Sequence, residues 1–177
     1  MQLRWLKVSP DWKQVAWGDL TGSIKIIDYA TNEVISQLRS HTQEVVSIDY
    51  SPFLDNEDNY LIASGSRDRN IFIYQGSNSY AKVNQLEGHS SSIISVKFSF
   101  DPEEQEEAKR LKLLTWGADK TIIYRNIESP DNISIYHKEV PKNKIVAMEA
   151  QGTKVLTGHD KLVSVTDLRT YAKLYEK

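Results

Sequence analysis

Apolar and polar residues alternate along most of this chain, and small or polar residues break the alternation at short intervals. Val45-Val46-Ser47-Ile48-Asp49-Tyr50 alternates and stops at Ser51-Pro52, and Ile93-Ile94-Ser95-Val96-Lys97-Phe98-Ser99 repeats the design further on. A period of two marks half-buried β-strands. Four longer stretches each read as strand, tight polar turn, strand: residues 16–26, 63–73, 114–124 and 156–165. Ile24, Ile71, Ile122 and Val163 hold one equivalent position, at spacings of 47, 51 and 41 residues. Trp5–Pro10 and Ile145–Met148 supply leading strands for the first and fourth units. Outer strands are expected at Glu33–Leu38, Lys82–Leu86, Ile133–His137 and Tyr171–Tyr175. The pattern therefore predicts four consecutive units of four strands, at roughly 1–40, 41–87, 88–140 and 141–177.

A unit of roughly 40–45 residues holding four strands is the signature of a WD40 β-propeller blade. The expected fold is all-β: a single WD40 propeller segment of four four-stranded antiparallel blades, forming an incomplete ring. Gly88-His89 is the pair that opens such a blade, and His41 stands 48 residues before His89. The Trp-Asp dipeptide has decayed to Ile27-Asp28, Tyr74-Gln75, Arg125-Asn126 and Thr166-Asp167. An open arc leaves apolar flanks on its end blades, to be covered by the remaining blades or by a second copy.

Three runs carry a closer resemblance: Ala63-Ser64-Gly65-Ser66-Arg67-Asp68-Arg69, Leu86-Glu87-Gly88-His89-Ser90-Ser91-Ser92-Ile93 and Gly117-Ala118-Asp119-Lys120-Thr121-Ile122. They resemble the mitogen-activated protein kinase-binding protein 1 family of WD40 scaffolds, most strongly over residues 60–125. The resemblance implies a non-enzymatic protein–protein scaffold of stress-kinase signalling and spindle poles. It also implies a cytoplasmic or cytoskeletal location and protein partners, among them mitogen-activated protein kinases. Members of that family carry two tandem propellers and a C-terminal tail that holds most of their kinase-docking segments. The alternative is a WD40 subunit of an RNA-processing or ribosome-assembly particle.

WD40 blades carry a hydrogen-bonded tetrad of His, Ser or Thr, Asp and Trp. By that resemblance His41, Ser64 and Asp68 fill three places, with Tyr74 standing for Trp. His89, Thr115 and Asp119 fill them again, with Arg125 in the Trp position. Burying an imidazole beside a carboxylate requires partners for both. A Ser-His-Asp nucleophile competes on paper. Architecture repeats and an active site does not, and no nucleophile elbow accompanies the residues, so no catalytic residue is assigned. Trp17 and Trp116 occupy strand positions where small residues are usual; they either pack or anchor a partner. Arg67 and Arg69 flank Asp68 in a turn, where they are ordinary exposed residues or recognise an acidic peptide or phosphate.

Asp101–Arg110 is an acidic insertion. Asp101 is placed to cap a helical turn, Pro102 at its first position, and Glu106 to reach Arg110. It is either a solvated loop or an acidic docking surface. Residues 53–59 form a smaller acidic insertion with the same two readings. Asn132-Ile133-Ser134 fits a glycosylation sequon without a secretion signal beside it.

Composition narrows the function. Among 177 residues there are 22 Lys+Arg against 24 Asp+Glu, a net charge of −2, which weighs against a strongly basic nucleic-acid binder. No cysteine is present, which excludes disulfides and thiolate metal sites. His41 lies in the second unit, His89 and His137 in the third and His159 in the fourth, with no close ligand pair, so no metal is assigned. The glycines sit in turns without phosphate-loop spacing, so no nucleotide or other cofactor is expected. No apolar run approaches the roughly 18 residues of a membrane span.

Overall fold

The computed structural model describes residues 2–54, 59–76, 79–104, 111–127, 135–139, 145–159, 162–167 and 173–176. Sixteen elements form among them, all strands. The first sheet holds β1 (Leu3–Val8), β2 (Gln14–Asp19), β3 (Ser23–Asp28) and β4 (Val34–Arg39). The second holds β5 (Val45–Tyr50), β6 (Leu61–Ser66), β7 (Ile71–Gln75) and β8 (Ala81–Leu86). The third holds β9 (Ile93–Phe100), β10 (Leu111–Gly117), β11 (Ile122–Asn126) and β12 (Ile135–Glu139). The fourth holds β13 (Ile145–Gln151), β14 (Lys154–His159), β15 (Leu162–Asp167) and β16 (Lys173–Glu176). Strand order within each sheet follows the sequence. Each sheet is thus a meander of antiparallel hairpins.

The outer strands lie within two residues of the expected positions. Of these, β4 and β8 are edge strands whose side chains are mostly exposed or half-buried, so their apolar pattern is faint. Pairing shows what Ile24, Ile71, Ile122 and Val163 share. They pair with Gly18, Gly65, Trp116 and Gly158 across the second hairpin of their sheets. Five residues of sequence separate the two members of each of the first three pairs, and four separate Gly158 from Val163. Trp17 pairs with Lys25 instead, so Trp17 and Trp116 do not occupy equivalent positions.

The chain forms two compact units, residues 1–96 with 117–119, and residues 97–116 with 120–177. In the first, Ala16, Ile24 and Ile26 of the first sheet pack against Val45, Ile48, Tyr50, Ile62, Phe72 and Tyr74 of the second. Burying each Ile side chain contributes about 1.5–3 kcal/mol. Gly65 makes room for the next sheet: a Cβ there would stand 2.5 Å from Ile93 Cγ2 and 2.9 Å from Val96 Cγ1. Tyr80, in the β7–β8 connection, joins the same core and donates its hydroxyl to Gln14 Oε1. Ser36 Oγ reaches the Ser79 carbonyl at 3.0 Å.

The second unit buries Leu113, Leu114, Ile123, Tyr124 and Val155. Lys112 is also buried, and its ammonium donates to Asn126 Oδ1. The Asp101 carboxylate accepts the Glu103 amide at 3.1 Å, the geometry expected of a cap, within a turn. Residues 105–110, with the Glu106–Arg110 pair, lie outside the described residues. So do residues 55–58 and the Asn132 sequon.

Candidate functional site

Two histidine–aspartate pairs organise the turns of the first unit. His41 precedes β5, Ser64 lies on β6 and Asp68 lies in the β6–β7 turn. His41 Nδ1 is 3.0 Å from Asp68 Oδ2, and Nε2 is 2.7 Å from Ser64 Oγ. An ionised carboxylate only accepts, so Nδ1–H donates to it and Nε2 accepts the Ser64 hydroxyl. The second Asp68 role is to hold backbone. Its carboxylate accepts the Thr42 amide at 2.9 Å and the Asn70 amide at 2.9 Å. Phe72 packs on the imidazole with ring centroids 4.5 Å apart.

Burial pushes the His41 pKa below the usual imidazole value, against the opposing pull of Asp68. Burial acts to raise the Asp68 pKa, but the two amides and His41 outweigh it and hold the carboxyl below its usual range. Tyr74 is completely buried. Its hydroxyl lies beside the side chains of Ser40 and Ser64 without a well-formed hydrogen bond among the described residues, and burial raises its pKa.

The pattern recurs one sheet later. His89 Nδ1 stands 3.2 Å from both Asp119 oxygens, and Asp119 Oδ2 accepts the Ser90 amide at 2.8 Å. Gly117 is required beside them, because a Cβ there would fall 2.5 Å from His89 Nδ1. Thr115, on β10 of the second unit, is buried and donates to the Ile123 carbonyl at 3.4 Å. Arg125 is completely buried, and burial pushes its pKa down to about 10.

This arrangement has the connectivity of a catalytic triad but lacks access. Ser64 is fully buried and the His41 side chain is 0% exposed, so no substrate carbonyl reaches the hydroxyl. What the hydrogen bonds do is tie each turn to the segment ahead of the sheet. Among the described residues no group of three or more His, Asp or Glu is placed to hold a metal. The His137 and His159 side chains lie outside them.

Arg67 and Arg69 are exposed, at the tip of the turn that Asp68 anchors. Arg67 is held from several sides. Its amide donates to the Glu44 carbonyl at 3.0 Å, its carbonyl accepts Ser92 Oγ at 3.3 Å, and its Nε lies 2.9 Å from Glu44 Oε2. Arg4 donates its Nε–H to the other oxygen, Glu44 Oε1. The Glu44 side chain is only 8% exposed. Sequence reasoning missed Arg4 and Glu44. The one signal was a carboxylate directly ahead of β5, where Ser92 stands ahead of β9.

Trp116 is 4% exposed and offers little surface to a partner. Trp17 is half-buried, on the face of the first sheet turned away from the second, and its indole N–H meets no acceptor among the described residues. A cleft of about 450 Å³ lies in the second unit, between Phe100–Glu103 and Gly152–Lys154.

Residues 32–75, which contain the His41–Ser64–Asp68 site, match the WD domain, G-beta repeat. The chain carries a WD40 repeat. Among the proteins similar to this chain are those the residue runs resemble. WD repeat-containing protein 62 of Sus scrofa is 31% identical over 126 residues, which is 71% of this chain and 8% of that protein. Mitogen-activated protein kinase-binding protein 1 of Homo sapiens is 28% identical over 152 residues, 84% of this chain and 10% of that protein. The chain therefore spans about a tenth of these relatives' lengths. A crystal structure of the β-propeller domain of Myceliophteria thermophila Cps50 (Swd1) superposes with a TM-score of 0.77 at 15% identity. The match covers 99% of this chain and 54% of that one. The fold is that of a β-propeller segment.

Proposed function

We propose that this chain is part of a non-enzymatic WD40 scaffold that binds other proteins, mitogen-activated protein kinases or their pathway partners among them. The single observation that carries the reading is the 28–31% identity, over most of the chain, to mitogen-activated protein kinase-binding protein 1 and WD repeat-containing protein 62. The chemistry is consistent with it. The chain's Ser-His-Asp group is sealed in the protein interior, while the exposed turn side chains are free to meet a partner. Fold alone does not choose the partner.

Affinity capture from cell extract with the purified chain, read by mass spectrometry, tests the proposal. Enrichment of mitogen-activated protein kinases or their upstream kinases is expected. Enrichment of RNA-particle proteins alone overturns it in favour of the RNA-processing alternative. On this reading the chain works in the cytoplasm or at the spindle pole. Among the described residues no helix is long and apolar enough to cross a membrane.

A further inference from the structure

We infer that Arg4 and Arg67, oriented by Glu44, form a receptor for one phosphorylated side chain of a protein partner. The inference rests on the scaffold reading and names the chemistry that such a scaffold would recognise. Three observations carry it.

The first is the use of the guanidinium groups. Both arginines meet Glu44 through Nε, on opposite carboxylate oxygens. No hydrogen bond to a described residue occupies the terminal Nη groups of either. Each guanidinium keeps two amino groups for an oxyanion, and the side chains are 46% and 59% exposed. Arginine's planar fork suits phosphate oxygens.

The second is preorganisation. Long arginine side chains on a surface ordinarily lose rotamer entropy when fixed. Here a nearly buried carboxylate holds both. Arg67 is fixed further by the backbone bond to Glu44 and by Ser92 on its carbonyl. A bound anion meets groups already in position.

The third is charge. Arg4, Arg67 and the neighbouring exposed Arg69 oppose one carboxylate, Glu44, leaving two positive charges. The remaining anion of the turn, Asp68, is turned inward to His41 and to the amides of Thr42 and Asn70. A phosphorylated serine or threonine carries about −1.5 to −2 charge and three acceptor oxygens. It matches this deficit, whereas a single carboxylate leaves one charge unmet. A nucleic-acid backbone would need a longer basic track than two or three arginines in a chain of net charge −2.

The test titrates the 177-residue chain with a short alanine-rich peptide carrying one central phosphoserine. Its unphosphorylated twin, its glutamate twin and phosphatidylserine vesicles run in parallel. Arginine Nε–H resonances are followed by NMR. The phosphopeptide is expected to shift Arg4 and Arg67 and to bind about tenfold more tightly than either twin. Arg67→Gln and Arg67→Lys both weaken it severalfold, the second because the charge stays and the fork is lost. Arg4→Gln does the same and carries the test if Arg67 variants fail to fold.

Glu44→Gln decides between orientation and bulk charge. It makes the patch more positive yet releases both arginines, so weaker binding supports the receptor and tighter binding overturns it. Equal affinity for the three peptides overturns it as well, as does binding to vesicles alone. A chain that captures partner proteins but ignores the phosphopeptide sinks this inference and leaves the scaffold proposal standing.

Discussion

At the scale of single residues, burial decides what His41 and Asp68 contribute. A His whose folded pKa lies below its unfolded value of 6.5 adds stability above that pH, and the contribution is lost as pH falls below it. Asp68, also depressed in the folded state, adds stability above about 3.8 and loses it as pH falls through the folded value. Acid should therefore weaken the fold in two stages, the His41 stage first. Urea unfolding between pH 8 and pH 5 checks this: the wild-type midpoint falls, and His41→Gln flattens the fall. Asp68→Ala, which strands a buried imidazole and two amides, costs about 2 kcal/mol or more at neutral pH. A variant as stable as the parent would show that the hydrogen bonds are dispensable.

At the scale of the hairpin, three sheets place a left-handed residue at the same point, two positions before Ile24, Ile71 and Ile122. The residues are Gly22 at φ 87°, Arg69 at φ 74° and Lys120 at φ 63°. Only glycine takes this conformation without steric cost. At Gly22 a Cβ would also stand 2.3 Å from the His41 carbonyl oxygen. Gly22→Ala should therefore cost about 2 kcal/mol or more. Lys120→Gly relieves strain but frees the unfolded chain, so it should stabilise by less than about 1 kcal/mol. Thermal unfolding of the two variants, with opposite signs of the Tm shift, is the check.

The same hairpins explain what could be read in advance. Strand alternation and turn chemistry are local, so β5, β9 and the four-unit repeat were legible. His41, Ser64 and Asp68 were legible through the family resemblance, because the same residue types return in the same order at His89, Thr115 and Asp119. The two tryptophans were not, because pairing register depends on the whole hairpin and one position reverses a side chain's face. The Arg4–Glu44–Arg67 group was hidden for a different reason. Its members come from β1, the approach to β5 and the β6–β7 turn, and no local pattern ties them together.

At the scale of the molecule, the first sheet has two unequal faces. One carries Ala16, Ile24 and Ile26 into the core shared with the second sheet. The other carries Leu6, Val8, Val15, Trp17, Ile27 and Val34, placed together by the pairing of Leu6 with Trp17 and of Ile27 with Val15 and Val34. On this face Leu6 is 49% and Val34 57% exposed. An apolar sheet face beside an open edge strand promotes association in water. The isolated chain is expected to show concentration-dependent association in sedimentation velocity. Leu6→Lys with Val34→Lys should suppress it. Because both positions are exposed, each substitution should change stability by only about 0.5 kcal/mol. The surface charge changes while the core at Ile24, Ile26 and Ile48 does not. A parent chain that stays monomeric at high concentration and binds no apolar dye would contradict the exposure of this face, and with it the expectation that something covers it.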